Sequence, residues 1–176
     1  MEIYLIRHTA PLIEKGLIYG RLDVALADSF MKESELVLKQ LPDVLDAVYS
    51  SPSSRCTLLA GAISSVYQTD GALYELNFGD WEGKTWDGVA GDECDTWMND
   101  FVNCPTPNGE SMVMMQARVM KFWGNLLLKP FQKVAVVTHG GVIRILLAKY
   151  RSVLLKDSFE IKIAMGEVVK LQVSAL

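Results

Sequence analysis

Residues 133–150 read KVAVVTHGGVIRILLAKY. Four apolar residues, Val134 to Val137, run into Thr138 and His139, two glycines follow, and a helical pattern then continues to Tyr150. A short apolar run rich in valine reads as a buried strand. The glycine pair marks a junction where bare backbone lets a ligand approach and the first helical N–H groups stay free for an anion. The N-terminus repeats the first half of this unit. In MEIYLIRHTAP, residues 2–7 form a second buried strand, and it too ends on polar groups, Arg7 and His8.

Working outward, strands and helices alternate. Asp28 or Ser29 can cap a helix to about Leu41, with Phe30, Val37 and Leu41 on one face and Pro42 as its stop. DAVYS (46–50) is a strand, and Ser51-Pro52 starts a helix to about Tyr67. ALYEL (72–76) is a third strand candidate. The glycine-, tryptophan- and aspartate-rich stretch at about 77–108 reads as a lid or insertion, with one short helix around Asp92–Phe101. From Glu110 a helix carries the stripe Val113, Ala117, Met120, Gly124 and Leu127. FEIKIAM (159–165) and EVVKLQV (167–173) suggest a closing strand pair. The expected fold is a three-layer α/β/α sandwich, its central sheet mostly parallel with an antiparallel edge, in a single domain over 1–176.

The chain has 176 residues, of which 50% are hydrophobic and 22% charged, enough for one substantial core. A net charge of −4 gives no electrostatic case for nucleic acid or an anionic membrane as partner. Cys56, Cys94 and Cys104 form no CxxC pair, as expected of a reducing, cytoplasmic location. No basic-then-apolar leader opens the chain, and Arg144 interrupts VIRILLAKY, so neither a signal peptide nor a membrane span is expected.

His8 and His139 are the only histidines. Each ends a strand, and in open α/β sheets ligands sit beyond the carboxyl ends of the strands. Arg7 adds a planar cation suited to phosphate oxygens. Rival chemistries fail on spacing. Two histidines with scattered cysteines match no zinc pattern. In GDWEGKT (79–85), Gly79 stands one residue too close to Gly83 for a P-loop, and neither GxSxG nor GxGxxG occurs. Phosphoryl chemistry on histidine remains, with no metal or cofactor expected and a small phosphomonoester as partner.

Taken in order, these segments resemble the histidine phosphatase superfamily, the phosphoglycerate-mutase-like fold, along nearly the whole chain. The family's RHG signature corresponds to Arg7-His8, with Thr9 in place of glycine. SSPSSRCTLLA carries Arg55, ELNFGDWEG carries Glu75, PNGES (107–111) precedes the long helix, and THGG supplies His139 and Gly140. The resemblance implies a nucleophile at His8 and a proton donor at Glu75. It also implies a phosphate site of Arg7, Arg55, His139 and Gly140. RHTAP, GLIYGRLDV and SSPSSRC are most similar to the α-ribazole-5′-phosphate phosphatase branch, which acts in cobalamin nucleotide-loop assembly. An asparagine that many relatives place further on has no counterpart near Ile13–Glu14.

Tyr19, Gly20, Arg21 and Trp86 are the expected substrate contacts, with Arg144 as an outer candidate. Glu82 competes with Glu75 for the acid's role. Trp86, Trp97, Met98 and Phe101 suit either a stacking lid or ordinary packing. Three other functions stay open: a phosphatase for another small sugar phosphate, a phosphoglycerate-mutase-like mutase, and a non-catalytic binding protein on the same fold. KLQVSAL (170–176) offers no obvious extra tail to shelter a mutase intermediate, and the full set Arg7, His8, Arg55, Glu75 and His139 weighs against a mere binder.

Overall fold

The structure, a computed structural model, describes residues 1–173; the last three residues of KLQVSAL lie outside the described residues. Five strands form one sheet: β1 (Glu2–Arg7), β2 (Ala47–Ser50), β3 (Gln68–Thr69), β4 (Lys133–Thr138) and β5 (Val168–Gln172), in the order β3-β2-β4-β1-β5. β4 lies at the centre, parallel to both β1 and β2, while β5 runs antiparallel to β1 at the edge. Five α-helices accompany them: α1 (Phe30–Leu38), α2 (Ser54–Ile63), α3 (Asp92–Asn99), α4 (Met112–Leu127) and α5 (Gly140–Tyr150).

The period-two alternation of the strands separates two cores. Ile3, Leu5, Val134 and Val136 face Met115 and Trp123 of α4 and Leu146 of α5. Tyr4, Ile6, Ala135 and Val137 face Val37 of α1 and Leu59 of α2. Central strands buried on both faces have to read as continuous apolar runs, and these do. The result is the expected three-layer α/β/α sheet with its antiparallel edge. Among the described residues no helix is long and apolar enough to cross a membrane.

Three expectations are corrected. ALYEL is not a strand: Gly71–Leu73 make a 3₁₀ turn and residues 74–78 are irregular, while the third strand lies earlier at Gln68–Thr69. The carbonyls that a strand would use bond side chains instead. Arg118 donates to Ala72, Tyr74 and Glu75, and Thr138 Oγ1 to Leu73. FEIKIAM is likewise no strand, because β5 pairs with β1. The carbonyls of Ile161 and Ile163 accept from Arg144 Nε (3.0 Å) and Arg7 Nη1 (2.5 Å).

The stripe expected on α4 is displaced. The helix buries Met112, Met115, Val119, Phe122, Trp123 and Leu126, leaving Val113 44% exposed. A helix that begins Met112-Val113-Met114-Met115 has apolar groups all round and cannot set its own rotation. Phe122 and Trp123, with the largest areas to bury, decide it. Helix ends also fall short of expectation, α1 stopping at Leu38 and α2 at Ile63.

Candidate active site

The register sets Arg7 opposite Thr138, so β1 and β4 deliver His8 and His139 side by side at the carboxyl edge of the sheet. Their rings meet edge to face with centroids 5.2 Å apart. His8 is 1% exposed and His139 fully buried. His8 Nδ1 lies 2.7 Å from the Thr9 carbonyl, which can only accept, so Nδ1 carries the proton and Nε2 keeps its lone pair. Burial pulls the His8 ring down to about 3; the Thr9 carbonyl opposes this, and the charges of Arg55 and Arg7 add to it. The ring is neutral at pH 7, and its free nitrogen is a nucleophile.

His139 follows the same logic with the tautomer reversed. Arg55 Nη2 donates to its Nδ1 at 3.3 Å, since a guanidinium cannot accept, so Nε2–H donates to Ser51 Oγ at 2.8 Å. Burial first, then the charges of His8, Arg55, Arg118 and Arg7, hold His139 well below the ordinary histidine value. Cys56 Sγ stands 3.6 Å from Nε2 in a fully buried place, where burial drives the thiol far above its usual range and leaves it unreactive.

Arg55 is completely buried and donates to the carbonyls of Gly20 (2.7 Å) and Leu22 (3.0 Å). Among the described residues neither Arg7 nor Arg55 pairs with a carboxylate. The Nε of both, and Thr9 Oγ1, are buried donors with no protein partner. A methyl at Gly140 would stand 3.3 Å from Arg7 Cζ and 3.2 Å from Arg144 Nη1, so two guanidiniums cross the N-terminus of α5. Uncompensated cations and unpaired donors around a helix N-terminus make an anion site.

Glu75 borders it. Its carboxylate accepts from Gly141 N (3.1 Å) and Leu76 N (2.9 Å). A Cβ on Gly141 would come within 2.2 Å of Glu75 Oε1, so only glycine admits the carboxylate here. Glu82, its rival, is committed elsewhere: Oε1 accepts from the amides of Arg21 (2.9 Å) and Phe78 (3.0 Å), pinning two loops together.

The four expected substrate contacts divide. Tyr19 and Trp86 line a cavity of about 200 Å³ beside Glu75, with Arg144 and Phe159. Gly20 borders it too but has a structural reason to be glycine, since a Cβ would strike Glu82 Oε1 and the Leu76 carbonyl at 2.5 Å. Arg21 does not line the cavity; it pairs with Glu110 at 3.2 Å and lies over the Tyr74 ring. Trp86, Phe78 and Phe159 continue into a second cavity of about 440 Å³, lined also by Trp97, Met98 and Phe101.

Ser51 bonds to His139, Arg118 to the Glu75 carbonyl and Glu110 to Arg118, yet none of the three is among the expected site residues. Ser51 follows β2 at the same sheet edge as both histidines, and that position was a signal available in the sequence. Glu110 sat within the PNGES match without a role. Arg118 carried no local signal at all.

The family description "Histidine phosphatase superfamily (branch 1)" matches residues 3–175. The chain is 32% identical over 151 residues to "Putative phosphoserine phosphatase 2" of Hydrogenobacter thermophilus, an alignment covering 81% of this chain and 74% of that protein. It is 28% identical over 160 residues to the "Adenosylcobalamin/alpha-ribazole phosphatase" of Escherichia coli K12, covering 85% and 78%. The crystal structure of the alpha-ribazole phosphatase from Shigella flexneri superposes with a TM-score of 0.90 at 23% identity, over 99% of this chain and 91% of that one, a likeness of fold. The chain belongs to branch 1 of the histidine phosphatase superfamily.

Proposed function

We propose that the protein hydrolyses small phosphomonoesters through a phosphohistidine on His8, with α-ribazole 5′-phosphate as its substrate and α-ribazole and inorganic phosphate as products. The observation that carries the reaction is the pair of neutral, buried imidazoles beside two guanidiniums that have no carboxylate partner. His8 Nε2 attacks phosphorus and the bond to the leaving oxygen breaks, while Arg7, Arg55 and the α5 amides offset charge on the equatorial oxygens. An entering phosphate dianion favours the protonated form of His139, whose Nδ1 then releases Arg55 Nη2 to the phosphate, and the imidazolium adds a third positive group. Glu75 gives its proton to the leaving oxygen, then takes one from the water that attacks phosphohistidine and releases phosphate.

The substrate reading is supported by the aromatic cavity that opens beside Glu75, on the leaving-group side. A flat base stacked there gains about 1–3 kcal/mol. A second reading, a phosphorylated amino or hydroxy acid, is favoured by Arg144: among the described residues only its Nε has a hydrogen-bond partner, so its terminal nitrogens, over the Phe159 ring, stay available to a carboxylate in the mouth. Two experiments test these readings. Rapid quenching should trap an acid-labile, base-stable phosphate that is absent in His8→Ala; label on serine or cysteine overturns the mechanism. Comparison of kcat/KM for α-ribazole 5′-phosphate, ribose 5-phosphate, phosphoserine and 3-phosphoglycerate decides the substrate. If the nucleotide is not preferred, that assignment gives way to whichever ester is.

A further inference from the structure

Residues 72–77, which hold Glu75, belong to no sheet or long helix, so something else must fix them. The side chain of Arg118 does much of it. Nη1 donates to the carbonyls of Ala72 and Tyr74, both at 2.7 Å, and Nη2 to that of Glu75 at 3.0 Å. Nη2 also reaches Glu110 Oε1 at 2.5 Å, and Nε reaches Oε2 at 3.0 Å. A guanidinium has five N–H groups, and all five are bonded. Glu110 completes the frame, since its Oε1 also accepts from the Asn77 amide at 2.9 Å and from Arg21 at 3.2 Å. Burial alone would raise the pKa of Glu110, but Arg118, the Asn77 amide and Arg21 together hold it below the usual carboxylate range. The backbone is thus gripped at positions 72, 74, 75 and 77, on both sides of the acid.

We propose that Arg118 and Glu110 are positioning residues for Glu75, setting where its carboxyl stands relative to the leaving oxygen through the backbone and without touching substrate. Lysine keeps the charge at 118 but has three donors on a single nitrogen and cannot span four acceptor groups. The proposal rests on Glu75 being the general acid, so Glu75→Gln serves as the reference.

The experiment measures kcat and KM of Arg118→Lys, Glu110→Gln and Glu75→Gln on an alkyl phosphate and on 4-nitrophenyl phosphate, whose leaving group needs little protonation. Misplacing a reacting group by about 1 Å costs roughly a hundredfold, so Arg118→Lys and Glu110→Gln should lose about 10- to 100-fold in kcat on the alkyl ester. On the aryl ester they should lose about threefold or less, with KM little changed on either, because acid catalysis matters less there. In a Glu75→Gln background, Arg118→Lys should add almost nothing, since residues acting as one unit are non-additive. The activity kept on the aryl ester shows that the fold survives. If Glu75→Gln is leaving-group dependent while Arg118→Lys and Glu110→Gln lose equally on both esters, or if the double variant is additive, positioning is overturned and the acid stands. If Glu75→Gln itself loses equally on both, the acid assignment and the proposal fall together.

Discussion

The floor of the site and its rim are built on opposite principles. Arg55 and His139 are fully buried and His8 nearly so, each held by hydrogen bonds to backbone or to one another. Trp86, Phe159 and Met98 at the rim are 38%, 42% and 59% exposed and meet mainly other apolar surfaces. A buried polar group tolerates one geometry, because any other leaves donors unpaired at a cost of about 1–3 kcal/mol each. Aromatic packing is far more permissive. Under the proposed function the difference divides the labour: the rigid floor would read the phosphate, and the rim would adapt to the group attached to it.

His8→Asn is the severest test, because it keeps a polar group in the floor yet removes the proposed nucleophile. A fall in kcat of at least about a thousandfold, the same for every substrate, is expected from steady-state assays. A loss that varied with the leaving group would break the division between floor and rim. Gly141→Ala comes next. Its methyl would displace the Glu75 carboxylate, so the loss should approach the contribution of a general acid, about 10²- to 10⁴-fold on alkyl phosphates. A clearly smaller loss on an activated aryl phosphate confirms that the acid alone has moved.

Trp86→Ala should act on the rim. Expected is a drop of about tenfold in kcat/KM for a nucleotide with an aromatic base, as for one lost stacking contact, and almost none for ribose 5-phosphate. Equal effects on both would mean that Trp86 supports the floor instead. The last effect is on folding and not on catalysis. Because the His8 value falls from 6.5 when unfolded to about 3 when folded, the unfolded chain binds the extra proton between those values. Stability therefore falls as pH is lowered through that window, by up to about 1.4 kcal/mol per pH unit for this residue. Urea titrations at stepwise pH should show a shallower acid slope for His8→Asn than for the natural chain.

How much could be read from the chain depends on how local each cause is. The strands carrying His8 and His139 are legible because each is a continuous apolar run that ends on a polar stop, and a glycine pair follows His139. Gln68–Thr69 was not, being two exposed residues added to an edge. ALYEL has the composition of a strand, and what denies it that role is a guanidinium more than forty residues away in sequence, at Arg118. The rotation of α4 escaped for a related reason, since the helix offers apolar residues in every direction and only the partner surface chooses. Glu75 was found by its motif and not by physics. Its bond from Gly141 N joins an irregular segment to the N-terminus of α5, two elements that no periodicity relates.

The strand that leads into His8 lies between β4 and β5, both far downstream of it. Arg7 and His8 are tied to Ile163, Gly166 and Glu167 by hydrogen bonds to or from their own backbone and side-chain atoms. His8 is made well before the segments that seat it, since Ile163, Gly166 and Glu167 follow it far along the chain. Contacts so distant along the chain form slowly, because the loop between them must close first. Until residues 163–172 are made, β1 lacks its antiparallel neighbour and His8 its tie to Gly166, so the proposed activity should appear only once the distal edge strand emerges. Ribosome-stalled chains ending at 160 should be inert, and those with 173 clear of the tunnel active.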